Sequence, residues 1–561
     1  MMRTIYVKDY GILPGDRREN GFYLRNLLEE LEGQEEIELV FSDGEYHFYP
    51  DVASETVLFI PNHDEDGLHK AAFHLKGIRK LRFQGNHAHF QFHTELLPFL
   101  LQECEDITIQ DLAVDYQRPG YSQGVIRECG SRYMIIEVDQ ERFPCFIRGG
   151  RLYFTGENYC HELVRWMELD KEQEKPVFGL TDRTFNLHDA GEAAVWREVQ
   201  PGILRVDLNA RENPFEEASK PGDYLILRHH PRNNPGFYLE NCRNIRLKGI
   251  DIYHATAMGV IAQRTEDICL EQVQIRRHPL RHDVFTTEGD GFHFVSCRGL
   301  IQIRECLIEN QLDDPINIHG IYGRIRKILP DRSFLTELVH EQQKGSQLLK
   351  EGERFRFVDA RTMLPVGETK AVQVKRLNRD VILVTAEALP EDLQEGWVIE
   401  NLDWIPDVLV ENCIMRNNRA RGILPTSAGN VRIQNNLFQV PGAGVLIEGD
   451  CNGYFESGAV QHIRIEGNTF DCCAYVPAWG YAPIQISPHA PEYVEGRAYH
   501  GLVEVCGNTF RCADDRLLWA KNTEKIIWKN NKTERIESRA SCLGDAFVLE
   551  HILDEEIDER I

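Results

Sequence analysis

Apolar positions along the chain fall into two periods, one helical and many strand-like. Leu24, Leu27, Leu28 and Leu31 share one face of an amphipathic helix, and Gly33 stands where it should end. A strand-turn-strand run, EIELVFSDGEYHFYP, follows. From there a short unit recurs: apolar residues two apart, then a small, apolar or Asn residue three further on. Copies begin at Leu81, Ile107, Ile245, Ile268, Ile301, Val408, Val431, Ile463, Val503 and Ile526. Three intervals (Ile245 to Ile268, Val408 to Val431, Val503 to Ile526) are 23 residues, which suits one coil of a parallel β-helix with short turns. A leucine-rich repeat has similar length but needs Leu at fixed positions and a helical segment; these copies favour Ile and Val with polar alternation. Asn436, Asn468, Asn508 and Asn531 fall near the ends of successive copies, where stacked amides could satisfy one another at a bend.

The intervals from Ile107 to Ile245 and from Ile301 to Val408 are far too long for a coil. Each holds short β-patterned runs broken by Gly, Pro and charge, so each is expected to be an inserted small β domain. The predicted organisation is a cap helix and first coils over 1–117, an insertion over 118–236, coils over 237–320, a second insertion over 321–404 and closing coils over 405–561. The helix would cover the open end of the stack, whose edge groups otherwise lack partners. The fold class is therefore all-β: a right-handed parallel β-helix with two inserted barrel-like domains.

A second strand follows each first one, opened by Gly or Pro: GVIAQ from Gly259, GFHFV from Gly291, PINIH from Pro315, GILPT from Gly422 and GVLIE from Gly444. Aligned, Val260, Phe292, Ile316, Ile423 and Val445 form an inward column, and Ala262, Phe294, Ile318, Pro425 and Ile447 a second. His293, Asn317, His319, Thr426 and Glu448 then project outward. Just before this strand Asp290 and Asp314 fall in register, with Asp313 alongside and Arg421 in the next coil's equivalent place. Coils lie ~4.8 Å apart, so three carboxyl groups gather in one patch, where at least one pKa should rise and a proton be shared. A carboxylic acid beside a carboxylate base is what glycosidic hydrolysis requires. Alternation would turn Asp313 and Asp314 to opposite faces, and Pro315 suits the corner that brings both to one site. The outward polar groups would bind a neutral sugar, with Trp479, Tyr475 or Tyr454 as a stacking platform.

Composition narrows the partners. The 561 residues carry a formal charge of −26, which disfavours phosphate backbones and anionic membrane surfaces, so neither nucleic acid nor membrane is expected. The fifteen cysteines show no zinc-ligand spacing and read as buried reduced thiols. No basic segment followed by an apolar run opens the chain, so a cytoplasmic setting is expected, or a secreted or periplasmic one if a signal peptide has been removed.

The motifs EGDGFHFVSCRG (Glu288 to Gly299) and NQLDDPINIHG (Asn310 to Gly320), with VLIEGD from Val445, resemble glycoside hydrolase family 110. The resemblance implies an inverting α-1,3-galactosidase that releases terminal galactose from linear or blood-group B type glycans, on a right-handed β-helix with β-barrel insertions. It places the essential acids at Asp290, Asp313 and Asp314. By similarity to polygalacturonases, Asp313 would be the general acid, with Asp290 and Asp314 holding and deprotonating the water. Substrate-binding candidates are His293, Asn317, His319, Arg421, Thr426, Glu448 and Trp479; no metal or cofactor is expected, and a homodimer is left open. Three alternatives stand beside it. A polygalacturonase-like hydrolase would need several Lys or Arg near the acids, and Arg421 with Arg419 is a thin supply. A non-catalytic glycan-binding β-helix would use the acids only to cap turns or hold Ca²⁺, and a calcium-dependent lyase would fail with chelator.

Overall fold

The computed structural model describes residues 2–180, 183–184, 194–208, 219–512, 515–536 and 544–558. They are all-β apart from one α-helix and short 3-10 turns. Parallel pairing organises the long axis. All ten copies of the repeat stand in one column: Leu81 pairs in register with Ile107, Ile107 with Ile245, and so on through Ile268, Ile301, Val408, Val431, Ile463, Val503 and Ile526. The chain leaves the stack after Ile107 and after Ile301 and returns each time to the same column. Register is held because a slip of one residue would carry a whole apolar row out of the core.

That core is a continuous file of side chains. Phe438, Phe470, Phe510 and Trp528 stack at centroid spacings of 4.8, 4.9 and 5.0 Å, which is the spacing of the coils themselves. At one corner the four asparagines form the expected ladder. Asn436, Asn468 and Asn508 each donate a backbone N–H (2.9 Å) and a side-chain N–H (3.0–3.1 Å) to the Oδ1 of the next asparagine. Helix α1 (Glu19–Leu31) buries Leu24, Leu27, Leu28 and Leu31 in the same core, and Gly33, at φ +71°, turns the chain away after it. The fourteen described cysteines are free.

The two long excursions have cores of their own. The first forms an eight-stranded antiparallel sheet running from Tyr121–Gly130 to Tyr224–Arg228, with a three-stranded sheet over Cys145–Arg148, Arg151–Gly156 and Tyr159–Glu162. Trp166, Phe154 and Val206 lie at its centre. The second is antiparallel too, around Phe334, Phe355, Phe357 and Ile399.

A ladder of second strands carries the outward polar groups: β1 (Val260–Gln263), β2 (Phe292–Val295), β3 (Ile316–Leu329), β4 (Ile423–Pro425) and β5 (Val445–Ile447). Val260, Phe292, Ile316, Ile423 and Val445 pair in succession. The Gly that opens a strand is sterically required: a Cβ at Gly291 would stand 2.6 Å from the Pro315 carbonyl, and one at Gly422 2.1 Å from that of Gly444. Strand β3 begins in the stack and runs on into the second insertion, where it pairs with Ser333–Glu337. The coil with the aspartate pair is thus the one from which that domain departs.

Candidate active site

Asp290, Asp314 and Arg421 occupy one register position on three successive coils. The Asp314 N–H donates to Asp290 Oδ1 (3.3 Å), and one coil later the Arg421 N–H donates to Asp314 Oδ1 (2.7 Å). Arg421 also grips Asp314 through Nε (3.1 Å) and Nη2 (2.7 Å). Asp313 lies at the corner before Pro315, where the buried Asn418 amide donates to the carbonyls of both Asp313 (2.9 Å) and Arg421 (2.7 Å). One oxygen from each of the three acids lies within 4.8 Å of the others. The side chains of Asp290 and Asp314 are 6% and 2% exposed, that of Asp313 14%.

Electrostatics divide the trio. Burial, reinforced by the Asp313 charge, pushes Asp290 up to about 8 against the pull of Arg232 and Arg421. Burial also raises Asp314, to about 7, with Asp313 and Asp290 adding to it and Arg421 opposing. Burial acts on Asp313 in the same sense, but Arg232, Arg419, Arg421 and Arg228 outweigh it and hold that carboxyl well below the usual range. Arg232 pairs with its Oδ2 and Arg419 Nη1 reaches its Oδ1 at 3.3 Å. At neutral pH Asp290 therefore keeps its proton, Asp314 is poised between its two forms, and Asp313 is ionised. This is the reverse of the acid and base roles expected from polygalacturonases.

Hydrogen-bond direction gives the same answer for Asp290. The Gly320 carbonyl can only accept, so His319 Nδ1 (2.7 Å away) carries a hydrogen, and Nε2 of the neutral ring is its lone pair. His293 Nε2 then donates to His319 Nε2 (2.9 Å). Burial lowers the His293 pKa to about 4, so its Nδ1 is unprotonated and accepts from a protonated Asp290 Oδ2 at 2.6 Å.

The acids floor a cavity of about 270 Å³, built from distant parts of the chain. Of the residues expected to bind sugar, His293, Asn317, Arg421, Glu448 and Trp479 line it. Asn317 Oδ1 is buried there without a partner among the described residues, an acceptor open to a donor. His319 and Thr426 do not line it. Both are buried, His319 behind His293 as the end of the chain just described, while the Thr426 N–H bonds to the carbonyl of Ile318 on the previous coil (2.9 Å). Tyr454 and Trp479 reach the cavity, whereas Tyr475 is buried against Phe178. Arg419 stacks on Trp479 with its guanidinium carbon 4.4 Å from the ring centre.

Leu424, from the same outward column as His293 and Asn317, lines the cavity as well, and so do Asn62, Asp64, Arg165, Arg232, Met258, Gln342 and Glu456, which no motif singles out. Met258, Leu424 and Glu456 lie on or near the expected strands; the others come from an early loop and the two insertions. Asp64 joins three of these segments: it accepts from the Arg232 N–H (3.0 Å) and Gln342 Nε2 (2.8 Å) and donates its own N–H to the Arg232 carbonyl (3.1 Å). No local pattern in the chain announces such a wall. The arginine supply is also richer than Arg419 and Arg421 alone, but Arg232, Arg419 and Arg421 are committed to Asp313 and Asp314.

Comparison with known proteins agrees with this architecture. Family models described as GLAA-B beta-barrel domain I and domain II match residues 122–225 and 333–399, the two insertions. The Alpha-1,3-galactosidase B of Bacteroides thetaiotaomicron is 30% identical over 541 residues, covering 94% of this chain and 86% of its own. The chain belongs to the α-1,3-galactosidase family, glycoside hydrolase family 110. A second member, Alpha-1,3-galactosidase B of Phocaeicola vulgatus, is 30% identical and covers 94% of this chain and 89% of its own. Among solved structures, the A-module of an Azotobacter vinelandii mannuronan C-5 epimerase aligns over 98% of both chains at 11% identity, with a TM-score of 0.39.

Proposed function

We propose that this chain hydrolyses terminal α-1,3-linked galactose, from linear or fucosylated glycans, with inversion at the anomeric carbon, on a right-handed parallel β-helix. Family membership supports the bond and the sugar. The cavity, just below the roughly 300–1,000 Å³ common for ligand sites, suits a single terminal sugar more than a polysaccharide strand. The observation that carries the chemistry is the trio: three buried acids within 4.8 Å, of which Asp290 retains a proton at neutral pH, Asp314 is raised to near it and Asp313 stays charged.

The most exposed of the three, Asp313, is the one a leaving oxygen reaches first. When the glycosidic oxygen takes the place of Arg232 beside it, one of its two cationic partners is lost and its pKa rises. A proton then moves from Asp290 to Asp313, and from there to the leaving oxygen. Asp290, now ionised, holds the water beside Asp314; the water oxygen attacks the anomeric carbon as the glycosidic bond breaks, and Asp290 takes its proton. The Arg232–Asp313 ion pair is in this reading opened by substrate.

A double displacement is the second reading, because the acids are closer than the ~6.5–9.5 Å usual for inversion. Against it, the oxygens of Asp313 and Asp314 are engaged by arginines and those of Asp290 by His293 and the Asp314 N–H, so none is presented as a nucleophile. Proton NMR of the first-formed sugar separates the two readings. Initial β-galactose is expected; initial α-galactose would overturn inversion.

A further inference from the structure

Outside this cavity, a carboxylate and two imidazoles converge where the first insertion meets the stack. Glu95 lies between two stack strands, His161 on the strand Tyr159–Glu162 of the three-stranded sheet, and His230 just beyond the insertion's last strand. Glu95 Oε1 is 3.5 Å from His230 Nε2 and 4.0 Å from His161 Nε2, and one ligand atom from each residue lies within 4.8 Å of the others. Those gaps are long for hydrogen bonds and close to the ~3.3–3.5 Å between ligand atoms around a tetrahedral zinc.

The His230 side chain is 2% exposed. Its Nδ1 donates to the Pro231 carbonyl at 2.6 Å, so its lone pair is on Nε2, aimed at Glu95. A backbone acceptor behind the ring is the usual orienting contact of a ligating histidine. His161 Nδ1 is buried without a partner, so neither of its nitrogens is committed elsewhere among the described residues. The two rings meet edge to face, centroids 4.7 Å apart at 84°, which leaves their nitrogens to converge without stacking. A second cluster, His89, Asp115 and His278, is already neutralised: Arg281 and His254 each sit 2.7 Å from an oxygen of Asp115. The aspartate trio is likewise filled by arginines.

We propose that Glu95, His161 and His230 bind one divalent transition-metal ion, Zn²⁺ fitting the nitrogen and oxygen donors best, and that the ion ties the first insertion to the stack. Its placement has a consequence for catalysis, since His230 is two residues from Arg232, the partner of Asp313. A metal there steadies the backbone from which that arginine reaches the site.

The test uses the full chain stripped with EDTA, dialysed, and titrated with zinc chloride by calorimetry, with bound metal counted by mass spectrometry. Cobalt(II) gives an independent readout through the visible absorption of a tetrahedral site. One equivalent of zinc is expected, with affinity falling more than about 100-fold in Glu95→Gln and in His230→Ala. Binding should persist in Asp313→Asn. Glu95 is exposed, so its variant should melt with the wild type in EDTA, and only the metal-bound wild type should melt higher. Failure of the wild type to bind zinc, or equal affinity in Glu95→Gln, would overturn the site.

Discussion

Two corners of the same stack use one device for opposite ends. At the amide corner, Asn436, Asn468, Asn508 and Asn531 each place an oxygen or N–H against the neighbouring coil, and every group meets its complement. At the acid corner, Asp290 and Asp314 also accept the next coil's backbone N–H, in the same repeating fashion. A neutral amide is both donor and acceptor, so stacking it satisfies it. A carboxylate only accepts and carries charge, so stacking it creates repulsion that must be relieved by protons or cations. Here Asp290 keeps a proton, Asp314 is raised towards keeping one, and Arg232, Arg419 and Arg421 supply cations. One corner holds the fold together; the other stores a displaceable proton.

The largest effect expected from blurring this contrast is chemical. Asp313→Asn should lower the rate on an α-1,3-galactosyl disaccharide by about 10³–10⁴ while product inhibition by galactose is retained. With an aryl galactoside, whose leaving group needs little protonation, the loss should be much smaller. An equal loss on both substrates would remove Asp313 from the acid role.

Next come the partners that hold each corner. Arg421→Met removes the cation paired with the buried Asp314 and should cost about 3–5 kcal/mol in urea unfolding at pH 9, where Asp314 is ionised, and less at pH 5, where it is protonated. Asn468→Leu leaves the Asn436 N–H and the Ile433 carbonyl unpaired, for about 2–3 kcal/mol that does not vary between pH 4 and pH 8. A pH-dependent loss at the amide corner, or a pH-independent one at Arg421, would erase the distinction.

Two smaller effects sharpen it. His319→Leu removes the acceptor that directs the His293 hydrogen away from Asp290; the ring can then donate to Asp290, which favours the carboxylate. The basic limb of kcat/KM should move down by about one pH unit. Asp290→Asn should abolish activity yet stabilise the fold. A carboxyl raised from its ordinary value to about 8 costs nothing near pH 3, where folded and unfolded chains are both protonated. As pH climbs from 4 to 8 the unfolded chain sheds a proton that the fold retains, so wild-type stability falls across that window. The melting advantage of the variant should therefore grow with pH, to about 2–4 °C at pH 8.

Read alone, the chain specifies whatever depends on neighbours in the repeat. The column from Leu81 to Ile526, the asparagine ladder, and the shared register of Asp290, Asp314 and Arg421 all follow from spacing, because parallel coils convert a sequence interval into a spatial neighbour. What spacing cannot carry is contact between segments hundreds of residues apart. Arg232, Asp64 and Gln342 meet only because both insertions fold back over the coil that carries the acids. That closure also set the ionisation, since Arg232 holds Asp313 charged and burial keeps Asp290 protonated. The trio of acids belongs to the repeat. The charge each one carries is decided by the walls, because pKa depends on which groups surround a carboxyl and how far water is excluded, and neither is local in sequence.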